Sequence, residues 1–293
     1  MSIRASRRCL RHLFAVVAGI GLALPVPWPA PWPALWPDLW PDLWPALLPA
    51  LAQSPSAPAA ADPRVLEDLV AANRILADQG VLDGFGHVSM RHPERADRLL
   101  LSRSLAPALT KADDIMEYDL DCKPVAEQGR TSFLERFIHC EIYRARPDVM
   151  AVIHTHSQGV IPFANSSVPL RPMFHVAGFL AAGVPVFEIR QHAGLSNLLI
   201  GDAALGKALA ATLGDKSVVL MRGHGDVVVG PNIQVAVYRA IYTDVNARLQ
   251  AQALALGGLV TYLEKEEGEK ADKVQQQVVV RPWELWKQKA MKP

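Results

Sequence analysis

Between Pro25 and Pro49 a tryptophan recurs every fourth residue, at Trp28, Trp32, Trp36, Trp40 and Trp44, and each is followed by proline. Proline fixes φ and has no N–H to donate, so this stretch can be neither a regular helix nor a spanning one. It reads as an aromatic anchor or Pro-rich ligand, or as a slipped repeat inside a signal segment. Either way it divides the chain. Any fold has to be built from the residues that follow.

What precedes and surrounds the repeat has the layout of an export signal. Four arginines and no acid (Arg4, Arg7, Arg8, Arg11) stand before the apolar run 13–24, and Ala50-Leu51-Ala52 supplies a small-x-small cleavage pattern. Ser6-Arg7-Arg8-Cys9-Leu10-Arg11 resembles a twin-arginine signal, with Leu10 where Phe is common. Residues 1–53 are therefore expected to be an export signal carrying the Trp-Pro repeat, and 54–61 a Pro/Ala/Ser linker. The folded domain is expected over 62–293, exported to the periplasm. Removing 1–53 takes away four arginines and two aspartates, and the net charge of +1 becomes −1. A near-neutral domain is a poor nucleic-acid binder, so no nucleic-acid partner is expected. Three cysteines (Cys9, Cys122, Cys140) cannot make a disulfide framework and lack the close pairing of a structural zinc site.

The remaining chain alternates helical and strand patterns. Asp62-Pro63 is an N-cap with proline at the first helical position, and Gly80 closes that helix. Gly84–Met90 reads as a glycine turn entering a strand. Further strands are predicted at 98–102, 115–120, 149–156, 184–189, 217–221 and 226–229, and helices at 132–145, 203–213 and 231–256. The class is α/β or α+β. There is no phosphate loop and no GxGxxG.

His154-Thr155-His156 ends the apolar strand 150–153. Residues two apart on a strand share a face, so both imidazoles can reach one ion. A divalent metal wants three or four such ligands. His224, between Gly223 and Gly225 at a strand end, is the third candidate, and Glu135 the fourth. Glu135 has a competing role, because Ser132-x-x-Glu135 is also a capping box. A cupin uses the same residue types, but its Glu follows the HxH pair closely, and no carboxylate does so here.

These residues, in this order, resemble the class II aldolase/adducin family: Gly86-His87-Val88-Ser89, then Glu135, then His154-x-His156 nineteen residues on, then His224-Gly225. The resemblance covers about 62–262. It implies a three-layer α/β/α sandwich around a mostly antiparallel central sheet. It also implies a homotetramer with sites at subunit interfaces. By the same resemblance His154, His156 and His224 bind a divalent metal, Zn²⁺ first, with Mn²⁺, Fe²⁺ or Co²⁺ as alternatives. Glu135 is the acid/base. The sugar-phosphate aldolases of the family hold phosphate with an Asn after the first Gly, a Thr/Ser-Gly loop and small hydroxyl residues before the Glu. Here those places hold His87, Ser102-Arg103-Ser104, and Phe133-Leu134. These changes remove most of the donors a phosphate cradle needs, so the substrate is expected not to be a sugar phosphate.

The variant motifs, including 173–179 and Arg281-Pro282-Trp283-Glu284-Leu285-Trp286, resemble the branch of hydroxy-aromatic, hydroxy-methylpyridine-dicarboxylate-like decarboxylases. The leading expectation is a metal-dependent C–C lyase that decarboxylates a non-phosphorylated hydroxy carboxylate. The alternatives are an aldolase or dehydratase on an unphosphorylated substrate, and a non-catalytic adducin-like binding domain. His175 is a candidate proton donor or a structural histidine. His87, Ser102 and Arg103 are candidates for the small-molecule carboxylate, Arg103 through a bidentate contact or else as a solvated side chain.

Overall fold

A computed structural model describes residues 61–292. The export signal, the Trp-Pro repeat and all but the last residue of the linker lie outside the described residues. Seven strands form one sheet: β1 (His87–Arg91), β2 (Arg98–Ser102), β3 (Ile115–Asp119), β4 (Ala151–Thr155), β5 (Val186–Phe187), β6 (Val218–Met221) and β7 (Gly225–Gly230). Their order is β3-β2-β1-β4-β7-β6-β5, antiparallel except for the β5–β6 pair. The helices are α1 (Pro63–Asp78), α2 (Phe137–Ala145), single turns α3 (Ile161–Ala164) and α4 (Arg190–Ala193), α5 (Ala203–Leu213), α6 (Ile233–Ala255), α7 (Lys265–Val278) and α8 (Val280–Ala290). The expected α/β sandwich with a mostly antiparallel sheet is what the chain forms.

Strand alternation builds two cores. Val88, Leu100, Ala151, Ile153, Val218, Leu220 and Val228 pack with α1, α6 and α8. Their immediate neighbours Leu99, Leu101, Val152, Val219, Met221, Val227 and Val229 pack on the other face with α2 and α5. Because side chains alternate, every odd partner of Val88 on β1, namely His87, Ser89 and Arg91, faces α2. So do His154 and the position two beyond it. The face that carries the histidines is thus set by the same register that buries the valines.

Arg91 locks α2 to that face. Its buried guanidinium donates to the carbonyls of Tyr143 (2.7 Å), Arg146 (3.0 Å) and Val149 (3.1 Å). A cation at a helix C-terminus satisfies orphan carbonyls and complements the dipole. At the other end, Arg136 Nε donates to the Cys122 carbonyl (2.9 Å). Cys122 and Cys140 are joined by a disulfide spanning 18 positions. Beyond the reading of the cysteines as too few for a framework, two of them make one buried bridge, from the turn after β3 to α2.

Several boundaries differ from expectation. The helix predicted from Ser132 begins as a 3-10 turn at Leu134–Arg136 before α2 proper. The strand predicted over 184–189 contracts to two residues. Helices α7 and α8, not among the predicted elements, are polar-rich but amphipathic, and bury chiefly Gly268, Val279, Trp283 and Trp286. Among the described residues no helix is long and apolar enough to cross a membrane.

Two glycines are sterically required beside the histidines. Gly86 has φ +82°, and a Cβ there would lie 2.8 Å from the His154 carbonyl oxygen. A Cβ at Gly225 would collide with the carbonyl oxygen of Thr155. Gly225→Ala is expected to part β4 from β7 and displace His224, seen as a lower melting temperature together with weakened divalent-metal binding by calorimetry. Replacing both Cys122 and Cys140 by Ala should cost about 2–4 kcal/mol in denaturant unfolding, the usual worth of a bridge closing a loop of this size.

Candidate metal centre

His154 is the penultimate residue of β4, and its cross-strand partners are His87 on β1 and Val227 on β7. His156 lies one step past the strand end, on the same face. His224 sits in the tight turn between β6 and β7, where Gly223 takes φ +69° and Met221 pairs with Gly225. Glu135 enters from the opposite layer, in the 3-10 turn that opens α2. One ligand atom from each of these four residues lies within 4.8 Å of all the others.

The two outer nitrogens of the cluster fix its protonation. His154 Nδ1 lies 3.0 Å from the backbone oxygen of Asp226, and His224 Nδ1 lies 2.9 Å from that of Leu198. A carbonyl can only accept, so both Nδ1 atoms carry hydrogen and both Nε2 atoms point inward. His156 Nε2 lies 3.2 Å from His154 Nε2 and 3.0 Å from His224 Nε2. Nitrogen lone pairs brought this close repel unless a proton or a cation lies among them. Glu135 Oε2 completes the set at 3.6 Å from His154 Nε2 and 3.5 Å from His224 Nε2. Three imidazoles and a carboxylate in this arrangement fit a borderline divalent ion.

Burial pushes the His156 imidazole down to about 4, helped by the neighbouring His154 and His224. Its lone pair is therefore free at neutral pH. Glu135 stays ionised: burial opposes its charge, but His154 and His224 outweigh it and hold the carboxyl far below the usual range. Behind the cluster, burial lifts the Asp226 carboxyl to about 7, and Thr155 Oγ1 donates to it.

The capping-box reading of Glu135 does not describe this structure. The residue before the 3-10 turn is Phe133, with no side-chain cap, and Ser132 Oγ instead accepts from Tyr118 OH (3.0 Å). Glu135 Oε1 accepts from Ile200 N (2.9 Å). The loop 194–201 therefore serves twice: the Leu198 carbonyl orients His224, and the Ile200 N–H orients Glu135. Leu198 adopts φ +69°, a conformation costly for a branched side chain and one that persists only where its surroundings enforce it. Sequence reasoning passed over this loop, because backbone atoms used as ligand supports leave no mark in residue types.

A cavity of about 360 Å³ opens beside the cluster. Phe85, Leu105, Phe133, Leu134 and Leu199 supply apolar walls, and His87, Ser104, Glu135 and His156 supply the polar groups. His87 thus borders the cavity. Ser102 is buried in the β2–β3 pairing and does not line it, whereas Ser104 does. Arg103 donates to Asp114 (2.6 Å) and is not among the residues that line the cavity. His175 is exposed at the start of a 3-10 stretch and does not border the cavity of its own chain.

The model of the class II aldolase and adducin N-terminal domain matches residues 67–251. The chain is 38% identical over 235 residues to decarboxylase tropJ of Talaromyces stipitatus, covering 72% of this chain and 88% of that one. It is 34% identical over 207 residues to a 3,4-dihydroxyphthalate decarboxylase of Arthrobacter keyseri, covering 66% and 79%. An aldolase II superfamily protein from Pseudomonas syringae superposes with a TM-score of 0.66 at 23% identity, over 78% of this chain and 92% of that one, which speaks to the fold. With its histidine cluster on the sheet face that these alignments span, the chain belongs to the class II aldolase and adducin family.

Proposed function

We propose that this protein is a divalent-metal-dependent decarboxylase of a non-phosphorylated hydroxy-aromatic carboxylate. The single observation that carries the reading is the convergence of Glu135 and three imidazoles beside a largely apolar cavity, which Glu135 and His156 of that cluster border. A planar ring suits the walls formed by Phe85, Phe133 and Leu199, and oxygen substituents suit the polar end. The relatives named decarboxylases support the same reaction class.

Held by His154, His156 and His224, a divalent ion would supply positive charge beside a substrate oxygen and so favour the electron-rich state that loss of CO₂ creates. The chain's own groups do the rest. Glu135 Oε2 takes the proton of the substrate hydroxyl and delivers it to the ring carbon from which CO₂ departs. The electron pair of the broken C–C bond becomes the new C–H bond, and solvent returns the hydroxyl proton. Phe85, Phe133 and Leu134 shield that carbon from bulk water. His87 faces a second acceptor group of the substrate.

The same proposal includes a homotetramer with sites at interfaces. Phe85 (69% exposed) and Leu134 (53%) leave apolar surface at the cavity rim, which a neighbouring copy would cover. An auxiliary proton-donating role for His175 then requires that another copy bring it to the cavity. Export to the periplasm by the twin-arginine route is proposed as well. The buried Cys122–Cys140 bridge supports an oxidising destination.

Purified protein is expected to hold near-stoichiometric divalent metal and to release CO₂ from ortho-dihydroxy aromatic diacids such as 3,4-dihydroxyphthalate. Chelation should abolish turnover, and Zn²⁺, Mn²⁺, Fe²⁺ or Co²⁺ should restore it. Release of an aldehyde or ketone without CO₂ would move the assignment to an aldolase, and a metal-free, inert protein to a binding domain. Glu135→Gln should retain the fold by circular dichroism yet lose about 10²-fold or more in kcat, the usual contribution of a general acid–base group.

A further inference from the structure

His87 ends a chain of hydrogen bonds that runs from the cavity into the interior between β1 and α2. His87 Nδ1 lies 2.6 Å from His139 Nε2. His139 Nδ1 lies 2.6 Å from Ser89 Oγ, and Ser89 Oγ lies 2.8 Å from Tyr143 OH. His139 and Ser89 are fully enclosed, and Tyr143 and His87 nearly so. His139 and Tyr143 stand four apart on α2, and His87 and Ser89 two apart on β1, so one helix face meets one strand face.

The direction of the chain follows from proton bookkeeping at its inner end. The Tyr143 hydroxyl has a single side-chain hydrogen-bond partner, Ser89 Oγ, among the described residues. If Ser89 donated to it, the phenolic proton would be buried facing no acceptor, the costly case for a polar group. Tyr143 therefore donates to Ser89. Ser89 spends its own proton on its other partner, His139 Nδ1. His139, kept neutral by burial, then carries its hydrogen on Nε2 and donates to His87 Nδ1. With Nδ1 accepting from His139, the His87 ring keeps its one hydrogen on Nε2. That atom has no partner among the described residues, and the ring borders the cavity, 5.1 Å from the His154 ring and 4.5 Å from that of Phe133.

We infer that Tyr143, Ser89 and His139 form a one-way relay that fixes the His87 tautomer, so that His87 presents an N–H donor to a carboxylate of the substrate beyond the end that Glu135 works on. The site thereby selects aromatic diacids over monoacids. Tyr143, Ser89 and His139 are positioning residues, and His87 determines specificity. The inference rests on the cavity being the substrate site proposed above. It adds a reason for the His-x-Ser pattern of β1: the serine, two residues on, is the hinge through which the helix sets the histidine's proton. A histidine whose two nitrogens were free to exchange roles would in one tautomer offer a lone pair to the carboxylate and repel it.

The test uses full-length, zinc-loaded, ¹⁵N-labelled protein. Long-range ¹H–¹⁵N spectra, with His87 assigned by its loss in His87→Gln, are expected to show hydrogen on Nε2 of His87. In Ser89→Ala and in Tyr143→Phe that signature should shift toward a mixture of tautomers. KM for an ortho-dihydroxy aromatic diacid should rise about tenfold, while kcat stays within about threefold and the KM of the matching monoacid is unmoved. Tyr143→Phe keeps the ring in place and carries the test if Ser89→Ala folds poorly. Hydrogen found on Nδ1 of His87, or variants that leave both the signature and the diacid KM unchanged, would overturn the relay. Wild-type protein that releases no CO₂ would instead sink the decarboxylase reading, and the spectral signature still decides the relay.

Discussion

The ladder β1–β4–β7 is the element on which the site depends. His87 lies opposite His154, and His154 opposite Val227, in one continuous register. Shifting β4 by a single residue would turn His154 into the apolar core and put Ile153 in its place. The buried valines therefore help hold the histidines where they are, because the strand face that hides Val152, Val227 and Val229 under α2 and α5 is the one that presents imidazoles at the strand end. Stability and site geometry are the same constraint here.

Around that ladder the supports of the centre come from backbone. The carbonyls of Asp226 and Leu198 decide which nitrogen of His154 and His224 faces inward, and the Ile200 N–H holds one oxygen of Glu135. Backbone groups are rigid and cannot ionise, which suits them to hold ligands whose orientation must not drift. The 3-10 turn that leads into α2 carries Glu135, and α2 itself carries His139 and Tyr143. It is secured at both ends, by Arg91 on its last carbonyls and by the Cys122–Cys140 bridge and Arg136 near its first turns. A carboxylate meant to move a proton is thus mounted on an element with little freedom.

Much of this is legible in the sequence alone. Period-two alternation around His154-Thr155-His156 identified a strand with both rings on one face, and 98–102 and 203–213 were read with the boundaries that β2 and α5 take. Glu135 was open to two readings, since a Glu three residues after a Ser serves a helix cap as well as a metal site. Its fate turned on Tyr118, seventeen positions upstream, taking the Ser132 hydroxyl. His139 offered no pattern at all. It is an ordinary helical residue by sequence, and only the approach of β1 to α2 gives it partners.

Residue types and their spacing determined most of the strands and helices along the chain as far as α6, the shared face of His154 and His156, and the set of donors from which a metal centre can be made, because each follows from local periodicity and the chemistry of side chains. Tertiary structure alone decided which nitrogen of each ring points inward, that Arg103 is spent on Asp114, that two cysteines bridge, and that residues 194–201 brace the centre. Those outcomes depend on contacts between segments far apart along the chain, and hydrogen-bond partners of that kind are chosen by packing.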